Sequence, residues 1–301
     1  MSLMNDAQIS NIKSYIQKSA RPLDVALFKY VFEDGPADDI VVELKKFQNS
    51  DHGFGHGLEP DIQSPSSSVL CTTVALQYLN YVKTEAGNQL AVAALTYLDN
   101  NFDINYLGWH PVGPDIENAP HAPWWDYINS LSSYEWGNPS AEILGYYIKY
   151  EYSGTEFSTD QAIEKTISEL QYIAEPEVHA VLCYLRTFKV ANGDIKQQMK
   201  DTLFSHIKKI VSLNSSQWKN YVPKPLDFLT RPDDEVATLF SSKIIRENIN
   251  FIKQSLLNDH WEPNWNWGDQ HPGIWQDAKK DWSGKITVEN LLLLDSFKDL
   301  L

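Results

Sequence analysis

The 301-residue sequence has little cysteine, little positive charge and no long apolar run. Its two cysteines, Cys71 and Cys183, lie in apolar helical patterns, where a buried reduced thiol is more common than a disulfide or a metal ligand. Lysine and arginine number 25 against 40 acidic residues, which gives a formal net charge of −15. Because nucleic acids and anionic membranes require a cationic face, this balance disfavours both as partners.

Signals for membrane insertion and secretion are also missing from the pattern. No stretch approaches the ~20 apolar residues of a membrane span. The start, "MSLMNDAQIS", has no basic segment followed by an apolar run, the pattern of a secretory signal. The chain is 43% hydrophobic and 22% charged, which is typical of a globular protein. We therefore expect a soluble, cytoplasmic protein without a membrane span.

Helical periodicity dominates the sequence, and no run alternates as a β-strand does. Six strongly apolar helices are predicted, five of them with a proline in or near the first turn, where the missing N–H costs nothing. Their predicted starts are Pro22, Pro65, Pro139, Pro176, Pro232 and a position near Thr287.

Five more polar, amphipathic helices are predicted between these six, at about residues 38–48, 86–100, 158–173, 195–212 and 243–257. The N-terminal segment, at about residues 5–18, is the candidate for a sixth. An apolar helix packs on both sides, whereas an amphipathic helix keeps one face in water. The alternation predicts an all-α fold with six inner and six outer helices, an (α/α)6 toroid or barrel, as a single domain over residues 1–301. The alternative is an irregular right-handed solenoid of helical hairpins.

The stretch "KKFQNSDHGFG", residues 45–55, resembles the Gln-aromatic repeat of squalene and hopene cyclases and the matching repeat of protein prenyltransferase β-subunits. Those families are six-plus-six helical toroids, so the resemblance implies the same fold. It also implies that Gln48 caps a neighbouring helix end and that Phe54 packs over it. "NDHWEPNWNWGDQ", residues 258–270, is similar to a degraded second copy, with Trp267–Gly268 in place of Phe54–Gly55.

The catalytic signatures of these families do not carry over. "RPDDE" at 231–235 lacks the first aspartate of the Asp-x-Asp-Asp acid of class II terpene cyclases, and "DDIVVE" at 38–43 has the wrong spacing for the magnesium site of class I synthases. Neither cysteine has the aspartate with which protein prenyltransferases bind zinc. The resemblance therefore implies a fold and an ancestry rather than a reaction.

In a toroid of antiparallel hairpins, all connections from an outer to an inner helix emerge at one end. The predicted connections, 49–64, 101–138, 174–175, 213–231 and 258–286, hold all ten tryptophans and six of the eight histidines. Because long loops are usually functional, we expect a ligand-binding mouth there. Its predicted lining is His56, His121, Trp124, Trp125, Trp265 and Trp267. Alternatively, the tryptophans pack as small satellite cores and the loops plug the barrel.

Four residues are candidates for a catalytic role. Asp126 lies beside two tryptophans; His179, on an apolar helix, is either a core histidine or a cavity base. Asp233 and Asp234 lie in the first turn of a predicted inner helix, where capping is the simpler explanation. No metal and no cofactor are expected, because "HGFGH" is too rich in glycine to form the helix that places two histidines on one metal.

Two ligand classes suit an aromatic mouth. The first is an apolar, isoprenoid-type ligand, for which each aromatic ring could stabilise a carbocation by ~0.5–2 kcal/mol. The second is a glycan bound by a carbohydrate-active (α/α)6 barrel, with tryptophans stacked on sugars and paired carboxylates as acid and base. A non-catalytic interaction module is a third interpretation. The sequence leaves open whether the protein is an enzyme and which oligomeric state it adopts.

Overall fold

The computed structural model describes residues 4–127 and 135–300. Within these ranges the chain forms eleven α-helices, short 3-10 turns and isolated β-bridges but no strand, so the predicted all-α class is confirmed. No helix in these ranges is long and apolar enough to cross a membrane. The helices are α1 (Asp6–Ser19), α2 (Pro22–Phe32), α3 (Ala37–Leu44), α4 (Val69–Leu79), α5 (Glu85–Asn100), α6 (Gly137–Lys149), α7 (Thr159–Tyr172), α8 (Val178–Val190), α9 (Gly193–Ile210), α10 (Ser242–Ser255) and α11 (Pro272–Ser296).

Four predicted apolar helices form as α2, α4, α6 and α8, and each begins within four residues of its predicted proline. Side-chain caps fix two of these starts. The hydroxyl of Ser68 accepts the N–H of Cys71 at the start of α4, and the Glu177 carboxylate accepts the N–H groups of His179 and Ala180 at the start of α8. These caps satisfy amides that have no partner inside the helix.

The six amphipathic helices form as α1, α3, α5, α7, α9 and α10, close to their predicted bounds. The helix α3 ends earlier than predicted, because Lys45–Phe47 forms a 3-10 turn instead of a further helical turn. Four of these helices begin with a polar side chain that accepts the N–H three residues further on. The capping residues are Asn5, Thr84, Ser158 and Ser241. The local signals of the sequence therefore predict these elements well.

The helix predicted at Pro232 does not form. Glu235–Leu239 makes only a short 3-10 turn. The carboxylate of Asp234 accepts hydrogen bonds from the N–H and hydroxyl of Thr230 and from the N–H of Arg231, which closes a turn where the first turn of the helix was predicted. The described ranges thus hold one helix fewer than a six-plus-six pattern, and the toroid stays a prediction.

The last apolar helix exists, but it begins earlier than predicted. α11 starts at Pro272 rather than near Thr287, so Trp275 and Trp282 lie on a helix and not in a connection. Its first half is amphipathic and lacks the continuous apolar character on which the prediction relied. Trp275 and Ala278 are buried on this half, while the polar Gln276 and the charged Asp277 between them are exposed.

The chain packs as two compact units: residues 37–209 form one, and residues 1–36 with 210–301 form the other. The first unit holds α3 to α8 and α9 as far as Lys209. The second holds α1, α2, α10 and α11. That the whole chain is one domain stays a prediction.

Within the 37–209 unit, α6 crosses α8 at close range. A Cβ on Gly145 of α6 would lie 2.8 Å from the hydroxyl oxygen of Thr187 on α8, so only glycine allows this approach. One turn away, Glu142 is 2% exposed and accepts a hydrogen bond from Arg186 of α8. It also accepts one from Gln77 of α4. Glu142 of α6 therefore contacts side chains from two other helices, α8 and α4.

In the unit of residues 1–36 and 210–301, the turn between α1 and α2 is covered by α11. Gly284 of α11 leaves no space for a side chain, since a Cβ there would lie 2.8 Å from the Cβ of Ala20. The next residue, Arg21, forms a buried ion pair with Asp24 at 2.9 Å. On α1, Tyr15 stacks on His260, with ring centroids 4.2 Å apart. This packing holds the two N-terminal helices against α11.

One aromatic contact recurs three times. Phe54, Trp109 and Trp261 each follow an amphipathic helix, are buried, and donate their backbone N–H to a hydroxyl on the next apolar helix. The hydroxyls belong to Thr72, Ser140 and Thr287. Both tryptophans also donate the indole N–H to a carbonyl in the last turn of the preceding helix. By these contacts the counterpart of Phe54 is Trp261, not Trp267 as predicted.

Candidate functional site

The connection between α3 and α4 folds tightly around Phe54, whose ring is fully buried. Isolated bridges join Phe54 to Gln48 on one side and to Ser68 on the other. A Cβ on Gly55 would lie 2.2 Å from the carbonyl oxygen of Ser66. The glycine therefore lets the loop press directly against the segment that leads into α4.

Gln48 has a different partner from the one that the resemblance implied. Its side-chain amide donates to the carbonyl of His52 at 3.1 Å, inside the same loop, and does not cap a neighbouring helix. His52 has a φ of 70°, a left-handed conformation that turns the loop back on itself. The capping prediction for Gln48 is wrong, whereas the burial of Phe54 agrees with a structural role.

Four polar side chains of this loop form a hydrogen-bonded chain. Ser67 donates to Asp51 at 2.8 Å, and the Asn49 amide nitrogen donates to Ser67 at 3.0 Å. That nitrogen also donates to the carbonyl of Pro65, which can only accept, so the Asn49 oxygen must face His56 Nε2 at 2.9 Å. In the neutral ring, His56 therefore carries its hydrogen on Nε2 and has an acceptor at Nδ1.

The connection between α5 and α6 contributes a second pair of histidine and carboxylate. One oxygen of Asp103 accepts the N–H groups of Asn105 and Tyr106, and the other lies 3.3 Å from His110 Nε2. These contacts, the N–H of Tyr106 first among them, lower the pKa of Asp103. The Tyr106 ring stacks on His110 at 4.5 Å between centroids. The Nε2 hydrogen of His110 thus points to Asp103, and Nδ1 is again the acceptor.

Both groups line a single cleft of about 900 Å3, which lies wholly in the 37–209 unit. Its volume is in the range of small-molecule sites. Serine and asparagine side chains contribute polar surface, valine, isoleucine and proline side chains contribute apolar surface, and none of the ten tryptophans lines it. No lysine or arginine occurs among its described lining residues. The charged and aromatic lining residues are Asp51, Asp103, Asp115, His56, His110, Tyr97 and Tyr127.

Of the predicted ligand-binding residues, His56 lines the cleft and His121 does not. His121 is buried, with Nδ1 2.7 Å from the carbonyl of Ala119 and Nε2 3.0 Å from Asp126. The imidazole is thus held between two oxygen atoms, one on each side of the ring. Asp126, a predicted catalytic residue, is therefore engaged by His121, and the next residue, Tyr127, reaches the cleft.

The two adjacent tryptophans do not form a common stacking surface. Trp125 is 8% exposed and packs inside, whereas Trp124 is 38% exposed. Neither lines the cleft. Of the two tryptophans that this segment was predicted to contribute to a ligand-binding mouth, only Trp124 has an exposed ring.

His179 lies on the surface rather than in a core or a cavity. It occupies the first turn of α8, where the cap Glu177 accepts its backbone N–H. Its side chain is about half exposed and lies 3.9 Å from the Glu177 carboxylate. The prediction of a core histidine fails because α8 begins only one residue earlier, so this turn projects beyond the packed part of the helix.

Asp233 and Asp234 belong to the other unit and serve a turn. Asp233 is exposed and lies 3.4 Å from Arg231, and Asp234 closes the turn described above. Exposed pairs of this kind contribute little to stability. Neither carboxylate lines the cleft.

Trp265 and Trp267 also belong to that unit, and their surroundings differ. Trp267 is fully buried against Trp275, with centroids 5.7 Å apart. Trp265 is half-buried and meets Trp282 and Tyr221 edge to face. Its indole N–H has no hydrogen-bond acceptor in the described ranges. Trp265 is thus the better of the two for contact with a ligand.

Most tryptophans are structural by their burial. Seven of the ten are buried: Trp109, Trp125, Trp136, Trp218, Trp261, Trp267 and Trp275. Several donate the indole N–H to a carbonyl of their own surroundings, which is the usual arrangement for a buried tryptophan. These contacts favour the alternative interpretation, in which tryptophans anchor the long connections.

The sequence reasoning missed most of the cleft. Asn49, Ser67, Asp103 and Asp115 all lie in or next to connections that were expected to be functional, but aromatic residues were given more weight than small polar ones. A useful signal was the density of Ser, Asn and Asp in "NSDHG" and "QSPSSS", which flank the same loop. In the described ranges no three or more His, Cys, Asp or Glu side chains gather as a metal site.

Comparison with known proteins identifies no relative. No protein-family model matches the chain, and no curated protein or solved structure matches it at a significant level. The resemblance to cyclases and prenyltransferases is therefore neither supported nor contradicted by these comparisons. The function has to be argued from the cleft itself.

Proposed function

We propose that the 37–209 unit binds a carbohydrate in its polar cleft. The supporting observation is the lining: carboxylates, imidazoles, hydroxyls and amides surround about 900 Å3, with the rings of Tyr97 and Tyr127 among them. A sugar presents many hydroxyl groups in fixed directions, and such side chains can donate to and accept from them. Its C–H faces can pack on the ring of Tyr127, which is less buried than that of Tyr97.

The same lining argues against placing an isoprenoid chain in this cleft. An apolar chain would remove water from Asp51, Asp103 and the two histidines without replacing their hydrogen bonds, which is costly. Two of the four tryptophans that were expected to line an apolar mouth, Trp125 and Trp267, are buried elsewhere. Of the two ligand classes that the sequence suggested, the glycan is the better supported.

Candidate acid and base groups are also in place. Glycoside hydrolysis uses two carboxyl groups on either side of the scissile bond. Asp51 and Asp103 come from different connections yet line the same cleft. The lowered pKa of Asp103 favours its ionised form, which suits a base or a nucleophile rather than a proton donor. We propose these two in place of Asp126, His179, Asp233 and Asp234.

For the architecture we propose an α/α toroid of the terpenoid cyclase and prenyltransferase type. Alternating amphipathic and apolar helices support it, as does the contact shared by Phe54, Trp109 and Trp261. One inner position, at Pro232, would then be filled by a 3-10 turn. An experimental structure that shows the apolar helices in one closed ring would establish this proposal, and an open solenoid would refute it.

Binding can be tested by calorimetry with oligosaccharides of four sugar units and with farnesol as the isoprenoid. We expect an oligosaccharide to bind, and His110→Ala to weaken it about tenfold because a hydrogen bond worth ~1.4 kcal/mol is lost. His179→Ala is the matched control, since that histidine is exposed on α8 and should leave affinity unchanged. Binding of farnesol, and of no oligosaccharide, would refute the carbohydrate proposal.

A further inference from the structure

Several of the hydrogen-bonding groups that remain open in this cleft can only accept, although hydroxyl and amide donors also line it. His56 and His110 each direct the Nε2 hydrogen to a protein oxygen, so in the neutral rings Nδ1 keeps its lone pair. Neither Nδ1 has a hydrogen-bond partner in residues 4–127 and 135–300. The geometry of Asn49 and Asp103 thus selects the same tautomer for both histidines.

The aspartates of the cleft leave further acceptors. In Asp51, hydrogen bonds from Ser67 and Gly53 reach the same oxygen, Oδ1, and the described residues give no donor to Oδ2. Asp115 receives no hydrogen bond from that part of the chain either. A ligand that fits these atoms must therefore supply donors.

We propose that the ligand of this cleft is an amino sugar, a saccharide that carries a protonated amine; this inference rests on the carbohydrate-binding function proposed above. An ammonium group has three N–H donors and no acceptor, and its hydrogen bonds to carboxylates are charge-assisted. Three aspartates line the cleft, and its described lining has no lysine or arginine. An acidic sugar is repelled by this lining, and a neutral sugar can donate hydroxyl groups to the carboxylates but forms no ion pair with them.

The test compares two tetrasaccharides that differ mainly in charge: the tetramer of glucosamine and the tetramer of N-acetylglucosamine. Affinities are measured by calorimetry at low salt, where charge contacts are least screened. We expect the glucosamine tetramer to bind about tenfold more tightly. Asp115→Asn should reduce the ratio of the two affinities about fivefold, and Asp51→Asn should reduce it by about as much. Asp115 makes no hydrogen bond within the described chain, so its variant should fold normally.

The matched control is Asp201→Asn, which removes the same charge from an exposed position on α9, in the same unit but outside the cleft. It should keep the full preference. Equal affinity of the wild type for both tetramers would overturn the amino-sugar inference and leave the carbohydrate proposal intact. A preference that persists in both Asp115→Asn and Asp51→Asn would also overturn it, since the net charge of −15 would then be the cause. If neither tetramer nor any other oligosaccharide binds, both proposals fall.

Discussion

Glu142 of α6 and Arg186 of α8 form an ion pair at 2.9 Å that is open to solvent at one end only. The carboxylate is 3% exposed, and the arginine side chain is 43% exposed. The Tyr146 hydroxyl donates to the same carboxylate at 2.6 Å, and Gln77 of α4 donates to it as well. The buried charge is thus fully compensated, and it fixes the relative position of three helices.

Glu142→Ala should therefore destabilise the protein by ~3 kcal/mol, because it removes the shared acceptor of several buried donors. The partly exposed side chain of Arg186 can be solvated in this variant. The expected loss of stability is therefore at the lower end of the range for a broken buried ion pair. Chemical denaturation monitored by circular dichroism measures the change. Glu164→Ala, at an exposed site on α7, is the control and should change stability by less than ~0.5 kcal/mol. Equal unfolding midpoints for the two variants would show that the network is not needed.

Thr287 tests the recurring aromatic contact. Its buried hydroxyl accepts the backbone N–H of Trp261 at 3.1 Å. Thr287→Val keeps the shape but leaves this N–H without an acceptor, so we expect a loss of ~1–3 kcal/mol in the free energy of unfolding. Thr287→Ser retains the hydroxyl and should lose less than the valine variant. If serine proves as harmful as valine, the hydrogen bond is not what stabilises the contact.

The observed helix starts show what sequence patterns can and cannot predict. Helix starts at Pro22 and Pro176 were predicted because proline and nearby capping groups act within a few residues. At Pro232 the same signal failed, because Asp234 reaches back to Thr230 and stabilises a turn instead. α11 was predicted too late, since a helix of mixed polarity has no distinct apolar start.

For the site, the sequence indicated the right connections but not the right side chains. Asp51 and Ser67 are sixteen positions apart, and their hydrogen bond depends on how closely Gly55 lets the loop fold. No local pattern encodes that contact. The large apolar area of tryptophan made burial the stronger tendency for most of these residues, whereas small polar residues such as Asn49 could remain at the cleft.

Alkaline pH should destabilise the protein. Burial raises the pKa of Tyr106 to about 12 and also raises the pKa values of Tyr97, Tyr147 and Tyr184. Above pH ~10 the unfolded chain releases these protons while the folded chain retains them, so stability present below pH ~10 is lost as pH rises toward the folded pKa values.

Thermal melting between pH 9 and pH 11 measures this effect. The melting temperature should fall over this range, and Tyr97→Phe should make the fall shallower because the titrating hydroxyl is removed. Tyr172→Phe, at a highly exposed tyrosine on α7, is the control and should leave the slope unchanged. A melting temperature that stays constant from pH 9 to pH 11 would contradict the burial of these hydroxyls.

The tautomers of His56 and His110 provide the most direct test of the cleft geometry. Asn49 and Asp103 both place an oxygen opposite Nε2, so each neutral ring should carry its hydrogen there. Long-range 1H–15N correlation spectra distinguish the two tautomers, and His56→Gln assigns the signals. Asn49→Ala removes the acceptor of His56 alone, so His56 should then become a mixture of tautomers while His110 keeps the Nε2–H form and serves as the internal control. An Nδ1–H form of His56 in the wild type would show that the Asn49 side chain is oriented the other way, and the acceptor-rich description of the cleft would fail with it.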